Sequence, residues 1–178
     1  MSIYTTKEPL LLRGVFKKFD DTRGFLSAID LRDLELSVNC ENFHYQLLTH
    51  TNDRYTFRGF HFQEKPFEQA KLVRVISGKV FDVAVDIRKD SPTFTQWVSI
   101  TLSSENKKQL WIPEGFAHGF IALSSNTELV YKVTNYYNSS YDRTIKYDSP
   151  VFRIDWPVNK SEIILSNKDK DGSIDIEI

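Results

Sequence analysis

Several polar side chains in this chain fall in strand phase with apolar ones. Lys71 alternates in step with Val73 and Val75, Asp82 with Val80 and Ala84, and His61 with Phe57 and Gly59. His118 shares its phase with Phe116 and Phe120, and Tyr131 with Leu129 and Val133. Side chains of a strand alternate between faces, so these groups point where a core is expected. An unpaired charge is costly to bury, so the set needs a reason. An internal ion pair, or a core histidine bonded to a carbonyl, accounts for any one of them alone. Together they supply a base (His), a hydroxylic acid (Tyr), cations (Lys71, Arg58) and a carboxylate, which suits proton transfer without a cofactor. Arg58 and His61 have opposite parity, so both reach one site only through a bulge or a strand end.

The elements that must position these groups are mostly strands. Thr56–Gln63 is aromatic-rich, Lys71–Ser77 is branched and apolar, and Lys79–Ile87 alternates, with Ser77-Gly78 as the turn between the last two. Before them lie strand patterns over Leu10–Phe19, Phe25–Ile29 and Phe43 to Thr51, with a turn at Asp20–Gly24. A short helix over Leu31–Leu36 fits behind Asp30 as a cap. In the Phe43–Thr51 segment, Phe43, Tyr45 and Leu47 point one way and His44, Gln46 and Leu48 the other. Gln96–Leu102, Gln109–Pro113, Ala117–Leu123 and Thr127–Asn135 follow as strands, and Tyr136–Arg143 as a polar loop. Short strands separated by turn residues, with few helical patterns, predict an all-β sandwich or barrel in one domain, 1–178.

Composition narrows the class. A chain of 178 residues with 40% hydrophobic and 26% charged residues suits one ordinary globular domain. A net charge of −1 offers no basic field for nucleic acid. No apolar run approaches a membrane span, and the N-terminus lacks a signal peptide's pattern. With Cys40 the lone cysteine, no disulfide framework arises, and the expected location is cytoplasmic. Only four histidines are present, and Gln63 stands two residues after His61 where a metal-binding cupin would place a second histidine. The expectation is no metal and no cofactor. Phosphate-binding glycine loops and nucleophile elbows are absent as well.

The motifs RGFHFQ (Arg58–Gln63), QAKLVRVISGKVFDVAVDIRKDSPTF (Gln69–Phe94), LWIPEGFAHGF (Leu110–Phe120) and YKVTNYY (Tyr131–Tyr137) resemble the dTDP-4-dehydrorhamnose 3,5-epimerase family. DTRGF (Asp21–Phe25), DWP (Asp155–Pro157) and LSNKD (Leu165–Asp169) extend the likeness over nearly the whole chain. The resemblance implies a cupin-like β-barrel (jelly roll) with short peripheral helices, a homodimer, and a nucleotide-sugar substrate with a ketone at the fourth carbon. It implies His61 as base, Asp169 as its partner, Lys71 beside the enolate oxygen and Tyr131 as acid on the opposite face. Spacing alone does not single out Asp169, because LSNKD reads as a solvated turn. By the same resemblance Arg58 and Arg23 contact the diphosphate, His118 sits near sugar or phosphate, and Tyr136 stacks on the base.

The chain departs from the family's pattern on the nucleotide side. Leu26 and Ala28 follow Arg23-Gly24-Phe25, and the family's Gln-x-Asn-x-Ser is matched to Gln46-Leu47-Leu48-Thr49-His50. On that match Gln46 is retained for the nucleotide, while Leu48 cannot make the asparagine's bonds. Two other classes compete with the epimerase reading. A non-catalytic sugar-nucleotide binding module has no use for an acid and a base together. A single-centre epimerase, a ketoisomerase or a metal-dependent cupin would share the barrel, and the missing second histidine argues against the metal.

Overall fold

The computed structural model describes residues 10–12, 17–21, 24–28 and 43–174, the first three ranges as backbone path. The strands are β1 (Leu10–Leu12), β2 (Lys17–Asp21), β3 (Gly24–Ala28), β4 (Tyr45–Thr51), β5 (Phe57–Gln63) and β6 (Lys71–Ser77). They continue as β7 (Lys79–Asp86), β8 (Trp97–Ser103), β9 (Gln109–Ile112), β10 (Phe116–Ala122), β11 (Thr127–Val133) and β12 (Asp142–Thr144). A 3-10 turn at Lys160–Glu162 and a short helix, α1 (Asn167–Lys170), complete the tail. The first expected strand, Leu10–Phe19, takes in β1 and the start of β2, which belong to different sheets, and the polar loop after Tyr136 ends in β12, which pairs with β5. The helix expected over Leu31–Leu36 lies outside the described residues.

Two five-stranded antiparallel sheets make up the body, ordered β1-β9-β6-β11-β4 and β12-β5-β10-β7-β8, with β2-β3 as a separate hairpin. This is the all-β arrangement expected from the strand pattern, and it agrees with the cupin-like jelly roll that the resemblance implies. The inner faces meet over Val73, Val75, Val80, Ala84, Leu102, Leu110, Ile112, Phe116, Phe120 and Leu129. The opposite face of the second sheet is covered by the C-terminal segment, where Phe152, Ile154 and Trp156 pack on Phe57, Phe60, Val83, Val85 and Ile121. Strands β7 and β10 are therefore buried on both faces, which explains why they read as near-continuous apolar runs. Each fully buried large apolar side chain contributes about 1.5–3 kcal/mol relative to exposure, so the two cores hold the sheets in fixed relation. That relation sets what can face what across the gap between them.

Candidate active site

The gap between the sheets opens into a pocket lined by Thr49, Arg58, His61, Lys71, His118, Phe120 and Tyr131. Arg58 and His61 come from β5 and His118 and Phe120 from β10, which are neighbours in one sheet. Thr49, Lys71 and Tyr131 come from β4, β6 and β11 of the other. The two walls approach closely, with the His118 and Tyr131 ring centroids 6.5 Å apart at 79°.

The parity conflict between Arg58 and His61 is resolved by a bulge. His118 pairs with His61 and Phe120 with Arg58, so three steps on β5 oppose two on β10. The extra residue falls at Gly59-Phe60. Gly59 has φ 138°, and a Cβ there would lie 2.4 Å from the Gly119 Cα. Only glycine tolerates both the backbone conformation and the contact.

On this wall both histidines are tied to carboxylates. His61 Nε2 lies 2.8 Å from Asp169 Oδ1. Asp169 is buried, and its other oxygen accepts a bond of 2.7 Å from the Ser166 hydroxyl. Desolvation would raise the Asp169 pKa, but bonds from His61, Ser166 and the Gly59 backbone outweigh it and hold the group below the usual carboxylate range. An ionised Asp169 accepts the proton on Nε2, which leaves Nδ1 of His61 with the free lone pair. His118 Nε2 lies 2.9 Å from Asp82 Oδ1, with both residues buried. Burial lowers the His118 pKa more than Asp82 raises it, so this imidazole is neutral near pH 7. Arg58 donates from Nε to Thr51 Oγ1 and from Nη2 to the His50 carbonyl, each at 3.0 Å. Those bonds brace the guanidinium and leave the rest of its fork for a ligand.

The facing wall holds its groups by burial. Lys71 is buried, and its Nζ donates to the His61 carbonyl at 3.3 Å. Desolvation lowers its pKa to about 8, against the opposing pull of Asp142 and Asp82. Tyr131 is half-buried, and its phenol pKa is raised by desolvation, moderated by Arg58. A protonated phenol and a mostly protonated amine thus face a neutral imidazole across the gap.

Of the residues singled out from sequence, Arg58, His61, Lys71, His118 and Tyr131 line the pocket, and Asp169 backs His61. Arg23 lies outside the described residues. Tyr136 does not line the pocket. It is exposed, stacked on Tyr45 with centroids 5.7 Å apart at 10° and tilted against His44 at 5.0 Å. Gln46 is a correction. It is exposed on the outer face of β4, opposite Lys132, and Leu48 is exposed with it. Alternation puts Tyr45, Leu47 and Thr49 on the inner face instead, and Thr49 lines the pocket. Leu48, matched to the family's asparagine, therefore lies on an outer surface. Spacing missed Thr49 and Ser166, and it placed Asp82 inward without giving it a partner. Gln63 brackets the loop carrying Tyr136: it donates to the Phe67 carbonyl at 2.7 Å and the Tyr136 carbonyl at 3.0 Å, and accepts from the Asn138 N–H at 2.6 Å. Among the described residues no group of three or more His, Cys, Asp or Glu converges as a metal site.

The family profile described as dTDP-4-dehydrorhamnose 3,5-epimerase matches residues 9–174. The dTDP-4-dehydrorhamnose 3,5-epimerase of Shigella flexneri is 44% identical over 173 residues, covering 97% of this chain and 94% of the relative. The crystal structure of dTDP-6-deoxy-D-glucose-3,5-epimerase from Legionella pneumophila Philadelphia 1, in complex with dTDP-4-keto-L-rhamnose, superposes with a TM-score of 0.83 at 38% identity, covering 93% of this chain and 92% of that one. The dTDP-4-dehydrorhamnose 3,5-epimerase from Bacillus anthracis, with TDP and PPi bound, gives a TM-score of 0.82 at 35% identity, covering 93% and 98%.

Proposed function

The chain belongs to the dTDP-4-dehydrorhamnose 3,5-epimerase family, and from that premise we propose how its residues divide the reaction. The protein is an isomerase that inverts the carbons beside the ketone of a nucleoside-diphosphate-4-keto-6-deoxyhexose. The fourth-carbon ketone acidifies the hydrogens on the third and fifth carbons. His61 Nδ1 removes one of them. The electron pair passes into the carbonyl, and Lys71 stabilises the oxygen that becomes negative, an interaction that strengthens only as charge develops. Tyr131 returns a proton to the carbon from the other side, which inverts it. Exchange with water then resets both groups. Asp169 keeps Nε2 of His61 protonated and stabilises the imidazolium that forms.

The observation that carries this reading is the division of groups between sheets: His61 projects from one wall and Lys71 and Tyr131 from the other. Arg58, braced at the same pocket, is assigned to the diphosphate. His118, neutral and donating to Asp82, keeps an acceptor nitrogen and suits a sugar hydroxyl better than an anion. Tyr136, with Tyr45 behind it, offers an exposed ring for the base. Arg23 is retained as a second diphosphate contact. The dTDP form of the sugar is the assigned substrate, the groups named act without metal or cofactor, and one domain carries them. A homodimer in the cytoplasm, feeding deoxy-sugar and surface polysaccharide synthesis, including O-antigen, completes the reading.

Incubation with dTDP-4-keto-6-deoxyglucose in deuterated water tests it. NMR is expected to show deuterium at both the third and fifth carbons, with inverted product. Deuterium at only one carbon would reduce the activity to a single-centre epimerase, and uptake at neither would remove the proton-transfer mechanism.

A further inference from the structure

The contact between His61 and Asp169 depends on a chain segment that can hardly hold itself. Asp169 sits on α1, a helix of four residues, and a helix that short has no stability of its own in water. What fixes it is a reciprocal pair with Ser166. The Asp169 N–H donates to Ser166 Oγ at 3.1 Å, and the Ser166 hydroxyl donates back to Asp169 Oδ2 at 2.7 Å. The first bond caps the helix and the second touches the carboxylate. With Oδ1 on His61 and a further bond from the Gly59 backbone, both oxygens of a buried carboxylate are engaged, and the Ser166 hydroxyl is the side-chain bond on Oδ2.

We propose that Ser166 is a positioning residue of the reaction: its hydroxyl orients Asp169 so that His61 holds its proton on Nε2 and presents Nδ1 to the substrate. The inference rests on His61 being the base. A neighbouring group that fixes a ligand or base through its partner is a general device, and its loss is felt at the reacting atom without any contact there. Ser166 itself is exposed, so water competes for its place. The proposal states that water, free to move, does not set the carboxylate plane as a tethered hydroxyl does.

The test separates orientation from capping. Glycine is nearly as good a helix cap as serine, but it has no hydroxyl. Threonine keeps both functions. Ser166→Gly is expected to lower kcat about tenfold with KM changed less than about threefold, and Ser166→Thr to restore kcat to within about threefold. In an Asp169→Asn background Ser166→Gly is expected to add nothing, since residues acting as a unit are non-additive. Thermal melts run alongside identify any variant that has lost its fold. Wild-type kcat in Ser166→Gly, the same tenfold loss in the Asp169→Asn background, or a loss confined to KM overturns the proposal. His61→Asn is the control for the reading underneath. If it still exchanges deuterium, the base assignment falls and this proposal with it. If it is dead while Ser166→Gly turns over normally, only the role of Ser166 falls.

Discussion

The two walls of the pocket hold their polar groups by different means. On the β5–β10 wall each imidazole is bonded to a buried carboxylate, His61 to Asp169 and His118 to Asp82. On the β6–β11 wall no carboxylate bonds Lys71 or Tyr131 among the described residues. Lys71 reaches a backbone carbonyl, and the pKa of both groups is moved mainly by desolvation. A bonded carboxylate fixes which nitrogen carries the proton, which a base needs. Desolvation sharpens the response of a cation to a nearby developing charge and keeps a phenol protonated until a strong base appears, which an acid and an oxyanion partner need. One wall is specified by geometry and the other by environment.

The largest effect should come from breaking the geometric wall. His61→Asn is expected to reduce deuterium uptake by on the order of 10⁴-fold, the upper range for loss of a general base. Asp169→Asn should fall nearly as far, and the double variant no further. Multiplying losses would show that the two residues act separately.

Lys71→Met strikes the environmental wall. A loss of about 10²–10³-fold in kcat is expected, the scale for removing one oxyanion partner. In the unsubstituted protein kcat should decline as pH rises through about 8, where Lys71 loses its proton, and that decline should be missing from the residual activity of Lys71→Met. A basic limb that persists in the variant would assign it to another group.

Tyr131→Phe divides two readouts of one reaction. Abstraction and return on the His61 side remain possible without the phenol, so exchange should survive within about tenfold while inversion is blocked. Loss of exchange as complete as in His61→Asn would mean that the acid and base are not divided between the walls in this way.

The smallest effect is on stability: near pH 7 the ionised Asp169 adds to it and the charged Lys71 subtracts from it, and both contributions rise with pH. The Asp169 pKa is lowered on folding, so its contribution is present above the unfolded carboxylate value and lost as pH falls through the folded one. The Lys71 pKa falls from 10.5 to about 8 on folding. Below about 8 the folded state bears the full cost of a buried charge, and between about 8 and 10.5 the unfolded state holds more protons, so this contribution to stability rises with pH. Urea melts from pH 7 to 10 should show that rise in the unsubstituted protein and a flatter curve in Lys71→Met. Identical slopes would indicate that Lys71 is not strained by burial.

Strand alternation made much of this legible in sequence. A charge in phase with valines must face inward, so Lys71, His118, Asp82 and Tyr131 could be placed on inner faces, and the spacing of turns indicated paired sheets. Asp169 could not be found that way. It lies 108 positions from His61 on a one-turn helix, where no period operates, and resemblance alone pointed to it. Gln46 failed for the opposite reason. Its residue type fitted a family motif, but its parity on β4 did not, and the inner positions belong to Tyr45, Leu47 and Thr49. The bulge in β5 could be required from the parity of Arg58 and His61, although its place, at a glycine pressed against Gly119, depends on a strand 60 residues away, Gly59 against Gly119.

That bulge also sets a length. Arg58 and His61 are three residues apart on one strand, roughly 10 Å at about 3.3 Å per residue, less whatever the kink takes up. On the proposed assignment, the anchor for the phosphates and the atom that removes the proton are thus two marks on a single covalent ruler. Where the sugar ring rests against that ruler decides which of its hydrogens comes within reach. Under that assignment, inserting or deleting a residue between the marks would move the reacting atoms along the substrate before it altered any reacting group.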